Sequence, residues 1–187
     1  MTLIECLLAC LGLLLTPGPT NTLLALASAS DGRRRAARLI PAEVLGYGVS
    51  VVPLMLFGQA LIAAFPAAAT VLQLAAAAWV AFLALKLWHI PQGGPRDSGV
   101  TRRKVFLTTM LNPKGVLFGL FLLPGVQDLA PAVVLPAFGI TVAAAGCFWI
   151  GLGMLVTGRT GRLRRMASVV LGALSVLLLQ SGIAAAF

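Results

Sequence analysis

Charge in this sequence is confined to a few places, and that confinement decides what the chain can fold into. Leu39 to Ile90, 52 residues, carries only Glu43 and Lys86, and Val105 to Gly158, 54 residues, carries only Lys114 and Asp128. Across all 187 residues 10% are charged and 59% are hydrophobic, against about 25% and about 45–50% in a soluble domain. Too little polar material remains to coat a water-facing surface, which excludes a soluble globular enzyme. Disorder requires low hydrophobicity, and three cysteines are too few for a disulfide scaffold. The expected fold class is an all-α integral membrane protein. At about 20 apolar residues per crossing, one transmembrane domain over 1–187 accommodates six helices.

The net charge of +9 would suit a nucleic-acid binder if the cations formed one stripe. Twelve of the fourteen instead form three clusters: Arg33, Arg34, Arg35 and Arg38; Arg96, Arg102, Arg103 and Lys104; Arg159, Arg162, Arg164 and Arg165. No nucleic-acid partner is expected. Each intervening stretch is long enough to cross a bilayer and return, so the clusters share one face. Basic residues beside short loops stay cytoplasmic, which puts both termini outside.

Backbone punctuation places the spans at about Leu3–Ala29, Leu39–Phe65, Ala67–Ile90, Val105–Leu123, Pro131–Thr157 and Met166–Phe187. Phe65-Pro66 and Pro124-Gly125 with Asp128 mark the outer turns, and Pro91 to Gly99 is the longest loop. That loop divides the chain into halves of three spans, approximately 1–94 and 95–187, entering from opposite sides as inverted repeats. Leu7–Leu15 followed by Ala27-Ser28-Ala29 also resembles a signal peptide. Its leader should be basic, yet the only charge ahead of the apolar run is Glu5 and the arginines follow it, which orients a retained helix.

Cys6, Cys10 and Cys147 fall inside spans and read as small packing residues. Cys6 and Cys10 stand four apart, not in a Cys-x-x-Cys redox pair. His89, with Trp88 and Lys86, reads as a membrane-edge belt; one histidine without acidic or thiolate neighbours makes no metal site, and no cofactor is expected.

Polar and helix-breaking residues at membrane depth carry the functional signal, because backbone there must be satisfied and charge is costly. Thr16-Pro17-Gly18-Pro19-Thr20-Asn21 breaks the first span, with Pro17 roughly 21 Å along the axis at 1.5 Å per residue. Asn112-Pro113-Lys114-Gly115 breaks the fourth, with Lys114 roughly 13 Å in, near the middle of a core about 30 Å thick. Matched Pro/Gly-interrupted spans in the two halves point to a transporter's binding site. Pro17, Gly18, Pro19, Thr20, Asn21, Asn112, Pro113 and Lys114 are the expected substrate-binding residues. Broken helix ends offer backbone groups to a zwitterion, Lys114 attracts its carboxylate, and Asn21 and Asn112 orient it. Glu43, roughly 7 to 8 Å inside the second span with Tyr47 and Ser50 on its face, is the proton-coupling candidate; its alternative is an interfacial ion pair with Arg35 or Arg38. Gly115 and Gly119, and Ala75 to Ala78, read as close helix packing.

Pro17-Gly18-Pro19 in the first helix, Arg33 to Arg35 after it, Gly46 and Gly48 in the second helix and Asn112-Pro113-Lys114 in the fourth resemble the LysE/RhtB family of amino-acid exporters over nearly the whole chain. The resemblance implies a bacterial inner-membrane secondary transporter, not an enzyme, that exports amino acids or related small metabolites on the proton gradient. Many relatives read Pro-Gly-Pro-Asn, whereas Thr20 follows Pro19 here and the asparagine comes at Asn21; one residue turns a helical side chain by about 100°, so Thr20 or Asn21 can fill the polar position. The family does not fix the substrate. Two further readings stand beside it: a membrane-embedded thiol carrier using Cys6, Cys10 and Cys147, and a non-transporting helical subunit. Small-residue faces permit a homodimer.

Overall fold

The computed structural model describes residues 1–65, 67–89, 98–155 and 160–184, and the regular elements among them are helices. α1 (Leu3–Leu15) opens with a capping box: the Thr2 hydroxyl accepts from Glu5 N–H at 3.3 Å, and the Glu5 carboxylate accepts from Thr2 N–H at 3.0 Å. It stops at Thr16, which is extended (φ −69°, ψ 145°), because a proline disfavours helical backbone in the residue before it and brings no N–H of its own. α2 (Pro19–Asp31) restarts with Pro19 at its first position, where the missing donor costs nothing. The two helices are bent by 62°.

The second half repeats the device. α6 (Arg102–Met110) ends before Pro113, and α7 (Pro113–Leu117) restarts with Asn112 as its N-cap. α7 runs on into a π-helical turn, Phe118–Leu122, and a 3-10 turn, Leu123–Gly125. The bend is 46°. Between and after these lie α3 (Arg33–Ala37), α4 (Ile40–Ala64), α5 (Ala68–Trp88), α8 (Pro131–Leu155) and α9 (Thr160–Ala184). Both expected breaks are therefore present. By length and composition, Arg33–Gly58 and Pro131–Leu155 are candidate membrane spans alone, and each bent pair qualifies as one broken span, giving two to four among the described residues.

The basic clusters, expected as loops, are drawn into helices: Arg33–Arg35 form the start of α3, Arg102–Lys104 the first turn of α6, and α9 begins six residues ahead of the expected Met166. An arginine run is a good helix former, and composition read only for apolarity misses that. Pro66, residues 90–97 with Arg96, residues 156–159 with Arg159, residues 185–187, and the side chains of Lys86, Arg162 and Arg164 lie outside the described residues, and with them the expected span ends at Ile90, Thr157 and Phe187.

Helices pair in a regular way: α1 and α2 pack on α8, α4 packs on α6 and the π-helical turn, and α5 packs on α9. Glycine permits the closest approaches. A Cβ on Gly153 of α8 would run into the Ala25 carbonyl of α2, and one on Gly46 of α4 would lie 2.8 Å from the Phe106 carbonyl oxygen of α6. Gly115 faces Ser50 and Tyr47, and Gly119 faces Leu54 and Val51, the close packing expected of that glycine pair. Ile40, Val44, Tyr47 and Val51 turn inward, whereas Leu155, Ile140, Phe121 and Phe57 are exposed. Outward-facing apolar surface on this scale fits a lipid surround and not water.

Candidate functional site

A helix that stops in the middle of a span leaves its last carbonyls without intrahelical donors. At the end of α1 side chains from three elements supply them. Leu13 O accepts from the Thr16 hydroxyl at 2.7 Å and from Lys114 Nζ at 2.7 Å. Leu14 O accepts from Asn21 Nδ2 at 2.7 Å and from Trp149 Nε1 at 3.2 Å. Thr16 O accepts from Asn21 Nδ2 and Lys114 Nζ, both at 2.8 Å. Asn21 thus uses both amide hydrogens on the break beside it. The Lys114 ammonium sits where the helix dipole is negative, a favourable place for a cation. Gly18 makes its room: a Cβ there would lie 3.1 Å from Lys114 Nζ.

The second break is joined to the first through a buried polar seam. Asn112 Oδ1 accepts from the Lys114 N–H at 3.1 Å, and Asn112 Nδ2 donates to Tyr47 Oη at 3.2 Å and to Thr20 Oγ1 at 3.4 Å. Thr109 donates its hydroxyl hydrogen to Val105 O at 2.8 Å. It is therefore the acceptor in its 3.1 Å contact with Thr20. Thr20, Asn21, Thr109 and Asn112 are all buried. Thr20 and Asn21 both face inward: Thr20 reaches the fourth span and Asn21 caps the first. Pro17, Pro19 and Pro113 supply the chain breaks.

Glu43 lies one turn before Tyr47 on α4 and is 1% exposed. Neither carboxylate oxygen has a hydrogen-bond partner among the described residues, so the ion pair with Arg35 or Arg38 is not formed. The carboxyl points across to α8, where a Cβ on Gly146 would stand 2.5 Å from Glu43 Oε2 with Leu24 and Ile40 beside it. Burying a polar group without a partner costs on the order of 1–3 kcal/mol, and more when it is charged.

Cys6 and Cys10 are buried in the packing around Leu14 and Phe118 as expected, but Cys147 is exposed on α8. α8 buries a stripe that runs through Val142, Ala145 and Gly146, and position 147 falls beside it. His89 Nδ1 meets Leu85 O at 2.8 Å at the end of α5. Sequence reading missed Thr109, Trp149 and Gly146. Thr108-Thr109, three residues before Asn112-Pro113, is a polar pair in an apolar span, and that was a usable signal for Thr109. Nothing local marks Gly146. Asp31 was also missed: its carboxylate accepts from Ser98 N–H at 2.7 Å and from Ser98 Oγ at 2.5 Å, tying the end of α2 to the segment before α6.

Apolar helices with lipid-suited surfaces, two of the candidate spans broken and cross-linked by polar side chains, define an all-helical protein of the membrane-embedded kind. The chain is similar to the cysteine/O-acetylserine efflux proteins of Escherichia coli (strain K12) and Shigella flexneri, each 27% identical over 176 residues covering 87% of either chain. The same resemblance holds for the cysteine/O-acetylserine efflux protein of Shigella sonnei (strain Ss046). No family model matches, and no solved structure matches.

Proposed function

We propose that this chain is a secondary exporter of small amino acids or related metabolites, of the LysE/RhtB kind, in the bacterial inner membrane. The observation that carries the reading is the meeting of two proline-broken spans, with Lys114 of one on the open carbonyls of the other. Interrupted helices meeting near the midplane are how many transporters hold substrate. The efflux relatives support the direction of flux and suggest cysteine or O-acetylserine as cargo.

Helix pairing supports a six-span inverted repeat. Exchanging the halves turns the packing of α1–α2 on α8 into that of α6–α7 on α4, and turns α5 on α9 into itself. Rocking one half against the other then gives alternating access, with the basic helix ends cytoplasmic. Glu43 is the proton-coupling group in this reading. A buried carboxyl without a fixed partner can gain or lose a proton as its surroundings change, and the Gly146 notch gives it a place on the opposite half.

Reconstitution into proteoliposomes with an imposed pH gradient and a solute panel tests the reading. Gradient-driven movement of an amino acid by the purified protein is the expected result; solute flux no greater than in empty liposomes contradicts it. Replacing Cys6, Cys10 and Cys147 together with serine should leave transport in place, whereas a thiol carrier would be abolished.

A further inference from the structure

Lys114 does more here than wait for a carboxylate. Its ammonium donates to Leu13 O at 2.7 Å and Thr16 O at 2.8 Å, and the contact with Thr16 lies at an exposed part of the break. Those oxygens are the C-terminal end of a helix, the part that favours a positive charge. They form an ammonium site, and a side chain of the protein is in it. Leu13 O keeps the Thr16 hydroxyl and Thr16 O keeps Asn21 Nδ2 when the lysine leaves, so the end of α1 tolerates its departure.

Resting on the exporter reading, we propose that Lys114 is a tethered stand-in for the substrate's own ammonium, and that a zwitterionic α-amino acid inserts between it and α1. The incoming ammonium takes Leu13 O and Thr16 O, and the carboxylate takes Lys114 Nζ. Insertion adds no net charge: each cation exchanges one set of acceptors for another. An amine without a carboxylate sets a second cation against Lys114 with no anion between them. A carboxylate without an amine draws Lys114 away and leaves the negative helix end with no cation. Both ends of the ligand are therefore required together. Gly18 leaves the space in which the ammonium moves.

Trp149 supplies a reporter, since its indole N–H donates to Leu14 O between the two oxygens. In purified full-length protein carrying Trp79→Phe and Trp88→Phe, tryptophan emission is titrated with L-cysteine, cysteamine and 3-mercaptopropanoate. L-Cysteine should give a saturable change at concentrations at least tenfold below either analogue, and Lys114→Met should weaken cysteine by at least tenfold. An analogue binding within tenfold of cysteine, or no response to cysteine, overturns the proposal. The analogue series needs only the unaltered lysine, so the test stands if Lys114→Met fails to fold. Cysteine bound but not moved in proteoliposomes contradicts the exporter reading and leaves this site intact; cysteine moved without discrimination against the analogues does the reverse.

Discussion

Gly151 and Gly153 lie two residues apart on α8 and make a matched pair for testing how the broken first span is held. A Cβ on Gly151 meets nothing within 4 Å, whereas one on Gly153 meets the Ala25 carbonyl, with the Ala25 C and Cα at 2.9 Å. In a helix interior alanine is favoured over glycine by about 0.5–1 kcal/mol, and that gain is common to both variants. Gly153→Ala must also push the Ala25 carbonyl of α2 away by roughly an ångström or more to reach ordinary contact in a close-packed interior. α2 resists, because Thr20 and Asn21 anchor its start. Overpacking of this kind costs about 1–3 kcal/mol. At about 2–4 °C per kcal/mol for a chain of this size, Gly153→Ala should melt about 2–12 °C below Gly151→Ala in detergent. Equal melting temperatures, or a more stable Gly153→Ala, would refute the close approach of α2 to α8.

Asn112→Ala removes the cap of α7 and a partner of Tyr47, and should lower stability by about 1–3 kcal/mol, read from thermal unfolding. Gly18→Ala sets a methyl 3.1 Å from Lys114 Nζ; because a lysine tip yields easily, transport assays should show weakened substrate affinity while the melting temperature changes by no more than a few degrees. Glu43→Gln should abolish accumulation driven by a pH gradient and preserve exchange of labelled for unlabelled solute. Full gradient-driven accumulation in that variant would remove Glu43 from proton coupling.

Features written in local sequence were legible. Pro17, Pro19 and Pro113 break helices through missing N–H groups and steric conflict, effects of neighbouring residues alone, and both breaks stand where expected. Thr20 and Asn21, weighed as substitutes for one another, take different tasks because 100° of rotation points one at α6 and the other at the end of α1. Distance along α4 from Arg38 leaves Glu43 open as a proton carrier or as an interfacial partner of Arg35 or Arg38. Its carboxyl faces Gly146 of α8, more than a hundred residues later in the chain, so no neighbour in sequence marks its burial. Trp149 on Leu14 O and Asp31 on Ser98 are pairings of the same non-local kind. No periodicity announces them.

Lys114→Met in reconstituted vesicles tests the central claim most directly, with L-cysteine efflux measured beside insertion and melting temperature. Both carbonyls that the lysine touches keep another donor, so the variant should insert and melt within a few degrees of the parent while efflux falls at least tenfold. Efflux at the parental rate from a correctly inserted Lys114→Met protein would contradict the account.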